Sequence, residues 1–503
     1  MASSDQAAVE AVHIPFDNSY ARLPERFYAR VPPSPAPTPK LIKLNADLAT
    51  TLGLDAAELA SPEGIEVLAG NRVAAGSEPL AMAYAGHQFG YFVRQLGDGR
   101  ANLLGEVIGR DGIRYDIQLK GSGRTPYSRN GDGRAALGPV IREYIISEAM
   151  AAFGIPTTRS LAVVATGQPV YRETPLPGAV LTRIATSHLR VGTFQYFLAQ
   201  GDVDGIRILS DYAIQRHYPH AAHEPKRYRA LLDGVISRQA NLVAQWMLLG
   251  FVHGVMNTDN TSISGETIDY GPCAFMEAYD PHTVFSSIDH KGRYNYGNQP
   301  NAMHWNLTRF AETLLPLLTE EEGGDEAGLA SAYASLKTFG VQYEAALHKG
   351  RLQKIGITSQ REGDLALSDD LLNRMTENRA DYTLTFRRLC DAAENESNNS
   401  ARDLFANPQA FDEWASQWRK RLAEEQSSPA QIAEQMRRTN PAYIPRNHIV
   451  EAALEAGAED ENFKPFEELL AVLSSPYDER PGFERYTLPA RPEEYVSKTF
   501  CGT

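Results

Sequence analysis

GFVHGVMNTDNTSISGETIDYGP, residues 250–272, places Asn260 and Asp269 nine residues apart in a run of small and polar side chains. Both offer hard oxygen donors, which suit Mg²⁺ or Mn²⁺ when one or two protein oxygens share the ion with nucleotide phosphates. Asp259, directly before Asn260, is the one carboxylate of the 253–260 loop. It is therefore the candidate base for an incoming hydroxyl.

The eight positions from His253 to Asn260 match the span of the protein kinase loop H-R-D-L-x-x-x-N, and Asp269-Tyr270-Gly271 stands where a kinase has D-F-G. The position of the kinase base is Val255, which cannot accept a proton. Upstream, Lys120 ends a strand-like segment and Glu143 follows 23 residues later on the first turn of an expected helix. In a kinase-like fold such a lysine neutralises ATP phosphates and the helix glutamate holds it. A surface lysine and a solvated glutamate satisfy the same spacing, and Glu148 on the same helix competes for the pairing. An ATP site lacking the usual base belongs either to an inactive kinase or to an enzyme that moves another part of ATP.

Further upstream, Gly97-Asp98-Gly99-Arg100 separates two apolar segments. Glycines there let backbone N–H groups approach phosphate, and Arg100 adds charge; an ordinary tight turn contains the same residues. Asp132 and Gly133 lie in the loop after Lys120. Arg183 and Arg190 follow the last strand-like segment, and guanidinium groups suit bidentate phosphate binding.

The rest of the chain bounds the possibilities. Its 503 residues exceed one compact core. A net charge of −14 and a pI near 5.4 argue against nucleic acid as a partner. No apolar run reaches the roughly 18 residues of a membrane span, and the first residues lack a signal or transit pattern, so a cytoplasmic location is expected. Three cysteines, Cys273, Cys390 and Cys501, form neither a disulfide framework nor a zinc spacing.

Periodicity and turn residues give an α+β expectation. Residues 1–80 read as an N-terminal extension, with a polyproline strap at VPPSPAPTPK (31–40) and a helix carrying Leu41, Leu44, Leu48 and Leu52. YFVRQL, ANLLGEVI and IRYDIQLK, between Asp-Gly turns, predict a three-strand meander over 91–120. A helix over 138–154 and strands at 160–165 and 179–184 complete a sheet-bearing small lobe, 81–192. Residues 193–328 read as a helical large lobe holding the catalytic and metal loop, bounded by the acidic LTEEEGGDEAG (318–328). Helices near 366–390, 411–424, 429–438 and 463–474 make residues 329–503 a helical C-terminal block.

AYAGHQFGYFVRQLGDGRANLLGE (83–106), LKGSGRTPYSRNGDGRAALG (119–138), HGVMNTDNTSISGETIDYGPCAF (253–275) and a cysteine three residues from the C-terminus closely resemble the selenoprotein O family. FDNSYARLPERFYARVPPSP (16–35) and NPAYIPRNH (440–448) extend the resemblance over nearly the whole chain. It implies a protein kinase-like bilobal fold that binds ATP in flipped orientation. Such an enzyme transfers AMP to Ser, Thr or Tyr hydroxyls of proteins with release of pyrophosphate.

By the resemblance, Gly97, Gly99, Arg100, Lys120, Asp132, Gly133, Arg183, Arg190 and Asp269 contact the nucleotide. Asp259 accepts the proton, Asn260 and Asp269 hold Mg²⁺ or Mn²⁺, and Glu143 supports Lys120. Many members carry selenocysteine near the C-terminus, where this chain has Cys501. Related bacterial members link a cysteine at the Cys273 position to the one in the tail, which implies a reversible Cys273–Cys501 disulfide and a thiol reductant as partner; Cys390 reads as a core thiol. A phosphotransferase using Asp259, UMP transfer from UTP, and a non-catalytic ATP-binding scaffold are the competing readings.

Overall fold

An antiparallel sheet in the N-terminal part, followed by a long helical region, organises residues 12–500, which the computed structural model describes. Tyr28–Arg30 (β1) and Lys40–Leu44 (β2) flank the proline-rich stretch, and Ala46–Thr51 (α1), Ala56–Ala60 (α2) and Pro62–Ala69 (α3) follow. The single helix expected from Leu41 to Leu52 is thus two elements. Leu41 and Leu44 sit on a strand because residues 40–44 pair with residues 162–165, and Asn45 then starts α1 by accepting from Leu48 N–H.

Next come Leu80–Met82 (β3), Gly86–Gln88 (β4), Tyr91–Val93 (β5), Ala101–Ile108 (β6), Arg114–Lys120 (β7) and Ala135–Ala136 (β8). Leu137–Ala152 (α4), Arg159–Tyr171 (β9) and Pro175–Ala185 (β10) complete this part. The sheet order is β1-β3-β6-β7-β10-β9-β2, with β8 on β10. Alternation along the strands splits the core. Leu103, Val163 and Leu181 pack with Ile141 and Ile145 of α4, while Leu104, Val164 and Val180 pack with Leu48, Leu59 and Leu68 of α1–α3.

The expected three-strand meander is only partly realised. β6 and β7 pair, but Tyr91–Val93 pairs with β4 in a separate hairpin. Phe89 and Gly90 both have positive φ, 50° and 89°, which makes the two-residue turn that closes it. The Gly97–Arg100 segment is therefore no hairpin tip. It folds onto β3, with Asp98 N–H donating to Met82 O and Met82 N–H donating to Asp98 Oδ2.

The helical region begins with Val191–Leu198 (α5), Val203–His217 (α6) and Arg227–Leu249 (α7). Two paired two-residue strands, Phe251–Val252 (β11) and Ala274–Phe275 (β12), then bracket the 253–273 loop. Gln299–Glu322 (α8) and Asp325–Lys354 (α9) are joined at Gly323-Gly324, so residues 318–328 are the end of one helix, a two-residue turn and the start of the next, and α9 packs back on α7 and α8. Asp364–Asn378 (α10) and Tyr382–Glu394 (α11) replace the one helix expected over 366–390. Arg379, at φ 52°, ends the first, and Asp381 caps the second. Pro408–Leu422 (α12), Pro429–Thr439 (α13), Asn447–Glu459 (α14) and Lys464–Leu473 (α15) follow, and α14 and α15 pack on α4. Among the described residues no helix is long and apolar enough to cross a membrane.

Candidate active site

β7 and β10 run side by side with Gln118 opposite Arg183, and α4 packs on β10 and β9. Lys120 Nζ lies 2.5 Å from Glu143 Oε2 and 3.2 Å from Asp269 Oδ1. Because α4 starts at Leu137, Glu143 sits on its second turn, not its first. Glu148, the competing partner, is taken up by Arg159 at 2.7 Å.

Asp269 is the meeting point of three cations. Arg183 Nη1 is 2.6 Å from Oδ1, Arg190 Nη1 is 2.6 Å from Oδ2, and Lys120 completes the set. Burial works to raise its carboxyl, but the charges of Arg183, Arg190 and Lys120 prevail and hold it well below the usual carboxylate range. Its backbone is left-handed, φ 62°, and His253 Nε2–H donates to Ile268 O at 2.9 Å just before it. Arg190 also donates to Asp259 O at 2.7 Å and lies 4.7 Å over the Tyr84 ring. Arg183 donates to Gln118 Oε1 at 2.7 Å.

Asp259 is buried, accepts from Gln88 Nε2–H at 3.3 Å through Oδ2, and leaves Oδ1 with no hydrogen-bond partner among the described residues. Burial pushes its carboxyl up to about 6, against the pull of Arg190. The approach of β4 requires Gly86, since a Cβ there would stand 2.8 Å from Asp259 Oδ1. Asn260 Nδ2 donates to Val255 O at 2.9 Å, which turns its Oδ1 away from that carbonyl.

Gly97, Gly99, Arg100, Lys120, Asp132, Gly133, Arg183, Arg190, Asp259, Asn260 and Asp269 all line one cleft of about 920 Å³, within the size range of nucleotide and cofactor pockets. Gly97, at φ 66°, passes under the Tyr127 ring, where a Cβ would stand 2.3 Å from it. Asp132 pairs with Arg172 at 2.9 Å at the cleft wall. Glu143 stands behind Lys120. Cys273 is buried just past Asp269, and Cys501 lies outside the described residues. Cys390 Sγ donates to Phe386 O inside α11.

Tyr84, Asp98 and Gln118 line or brace the cleft without having been singled out. Gln118 had a signal: it is two residues from Lys120 on one strand, hence on the same face. Asp98 was legible only as part of a turn, and its burial, which raises its carboxyl, came from the fold.

The oxygens of Asn260 and Asp269 fit a divalent cation shared with phosphate. Among the described residues no group of three or more His, Cys, Asp or Glu side chains could hold a metal alone. Mg²⁺ in nucleotide enzymes commonly rests on one or two protein oxygens plus phosphates, and the Asp269 side chain keeps 20% exposure toward the cleft.

A family model described as Protein adenylyltransferase SelO matches residues 10–474. The chain is 60% identical over 493 residues to "Protein nucleotidyltransferase YdiU" of Rhodopseudomonas palustris (strain BisB18), covering 98% of this chain and 100% of that protein. It is 61% identical to the protein of the same description from Methylorubrum populi, with 97% and 99% covered. The counterpart from Bradyrhizobium sp. (strain ORS 278) is 60% identical, with 98% and 100% covered.

Proposed function

The chain belongs to the SelO family and is a protein nucleotidyltransferase, and on that premise we propose that it transfers AMP from ATP to Ser, Thr or Tyr hydroxyls of proteins. The sheet with α4 and the helical region act as the two lobes of a kinase-like fold, with the cleft between them. The N-terminal extension braces the first lobe, and the helical block after residue 328 packs on both, through α9 on the second and α14 and α15 on the first.

One observation carries the reading. Lys120, Arg183 and Arg190 converge on Asp269, while the kinase base position is Val255 and the only partnerless cleft carboxylate oxygen of the loop is on Asp259. Three cations at one point exceed what a terminal phosphate needs and suit a β,γ-diphosphate inserted first, which leaves the α-phosphorus toward Asp259. Asn260 and Asp269 would hold a divalent ion, Mg²⁺ or Mn²⁺, which would supply neutralisation of phosphate charge. Glu143 fixes Lys120. Asp259 takes the proton as the acceptor oxygen bonds to the α-phosphorus and the α–β bridging oxygen leaves with pyrophosphate.

Parallel incubation with α-labelled and γ-labelled ATP tests the reading. Protein label from the α position only is expected; label from γ only would make the enzyme a kinase, and better transfer from α-labelled UTP would make UMP the transferred group.

The tail supports redox control in a reducing cytoplasm. Thr499 N–H donates to Phe285 O at 2.8 Å and Thr499 Oγ1–H to Pro272 O at 2.6 Å, two residues short of Cys501 and adjacent to Cys273. A Cys273–Cys501 disulfide would lock the tail there, and a thiol reductant would release it. Intact mass after alkylation, with and without reductant, reads the bond. Equal alkylation of both cysteines under oxidising conditions overturns it.

A further inference from the structure

The β4–β5 hairpin lies on the loop that carries Asp259. His87 N–H donates to Thr258 Oγ1 at 2.7 Å, Phe89 N–H to Asn257 Oδ1 at 3.0 Å, and Gln88 reaches Asp259. Its register pairs Gln88 with Tyr91 and His87 with Phe92. In a hairpin closed by two residues the pair flanking the turn exchanges hydrogen bonds and the next pair does not. The N–H and C=O of Phe92 therefore point away from β4, as those of His87 do on the opposite edge, where Thr258 takes the N–H. The small sheet ends at β5, and Tyr91 and Phe92 are 77% and 40% exposed. An open strand edge, on a hairpin whose other edge holds the catalytic loop, is a template for adding an extended chain.

The flanks of that edge are cationic. Arg94 follows β5 directly and is exposed, as is Lys291. The Arg293 guanidinium lies against the hairpin tip, 3.5 Å from where a Cβ on Gly90 would stand, and 4.8 Å over Trp305. Arg309, also stacked on Trp305, is paired with Glu312. Among the described residues, Arg94, Lys291 and Arg293 have no carboxylate within 4.0 Å. Nearby Asp289 spends its oxygens on the backbone N–H groups of Arg293 and Tyr294. Arg94 next to β5, and Arg293 at the hairpin tip with Lys291 two residues before it, are cations without carboxylate partners around one hairpin, in a chain of net charge −14, and complement an acidic segment.

We infer that the outer edge of β5 is the docking site for the acceptor protein: an extended acidic segment adds to it as a strand and tethers that protein at the cleft, where a hydroxyl outside the added strand reaches Asp259. Backbone pairing supplies affinity with little demand on sequence, and the acid side chains of the segment meet Arg94, Lys291 and Arg293. The inference rests on protein nucleotidyl transfer as proposed above, but docking is measurable without it.

Fluorescein-labelled peptides of alternating Glu and Tyr, and of alternating Lys and Tyr, titrated with the full chain in the absence of nucleotide, provide the test by anisotropy. The acidic peptide is expected to bind about tenfold or more tighter, and less tightly as salt rises. Arg94→Glu combined with Lys291→Glu, at two exposed positions, should weaken it by about tenfold or more while affinity for a fluorescent ATP analogue changes by less than about twofold. Phe92→Pro, which deletes the outward N–H, should lose binding that Phe92→Leu keeps. Equal binding of the two peptides, or acidic-peptide binding indifferent to the charge reversals and to Phe92→Pro, overturns the inference. Binding with these sensitivities but no transfer of α-label would leave docking standing and refute the transfer reading.

Discussion

Arg190 donates to Oδ2 of Asp269 at 2.6 Å across 79 positions of sequence. The cation proposed for phosphate and the carboxylate proposed for metal thus satisfy each other. On the proposed function, nucleotide entry exchanges that contact for phosphate on the arginine and metal on the aspartate.

Arg190→Ala is expected to weaken ATP binding and lower kcat/KM by about 10²–10³-fold, the range for deleting one charge-stabilising donor. Arg190→Lys should recover little, because one ammonium cannot meet Asp259 O and Asp269 Oδ2, as Nη1 does, while also facing Asp98 and stacking on Tyr84 as the rest of the guanidinium does. Steady-state kinetics with α-labelled ATP checks both; wild-type kcat/KM in Arg190→Lys would contradict the assignment.

Asp269→Ala should abolish transfer and metal-dependent ATP binding. It should also destabilise the ligand-free protein by about 3–5 kcal/mol, since Lys120 and Arg183 then share only Glu143 and Arg190 keeps only Asp98, 4.0 Å away. Pyrophosphate, an anion able to replace the carboxylate, should raise the melting temperature of the variant more than that of the wild type. Thermal melts with and without pyrophosphate decide it.

Asp259→Asn keeps the size of the side chain and removes the proton acceptor. Nucleotide affinity should stay within about twofold while transfer falls about 10²–10⁴-fold. A variant that binds ATP and transfers at the wild-type rate would move the base elsewhere in the cleft.

Local chemistry made much of this site legible. Asn260 and Asp269 declared themselves by oxygen type and spacing, and Lys120 by closing a strand. Pairing partners were harder. Glu143 and Glu148 could not be separated by sequence, because the choice depends on Arg159 reaching Glu148 from the neighbouring strand β9. The 91–96 segment departs from its expected place in the meander for a similar reason: Asp-Gly at 98–99 resembles a hairpin turn, yet Phe89-Gly90 turns the chain first and Asp98 is drawn onto β3. Leu41 and Leu44 kept helical spacing while pairing with β9, since a sheet edge outweighs a short periodic run.

Lys354, at the end of α9, offers a test remote from the cleft. Its Nζ lies 4.3 Å from the Phe386 ring and 5.4 Å from that of Tyr382, and burial lowers the amine to about 7, with nearby Cys390 pulling the other way. The other charged group on that face of α11, Arg387, is committed to Glu479 and to the carbonyls of Arg437 and Asn440. In the unfolded chain the amine titrates near its ordinary 10.5. Between these values the unfolded state binds more protons, so the contribution of Lys354 to stability rises with pH from about 7 to 10.5 and is lost as pH falls through 7. Cation–π attraction to Phe386 offsets part of the cost of charging it inside the fold. Lys354→Met should therefore raise stability at pH 7, and the difference from wild type should shrink by up to about 1.4 kcal/mol per pH unit as pH rises toward 10. Urea unfolding of both proteins at pH 7, 8 and 9 measures that difference; a gap independent of pH would mean the buried amine carries its charge in the folded state.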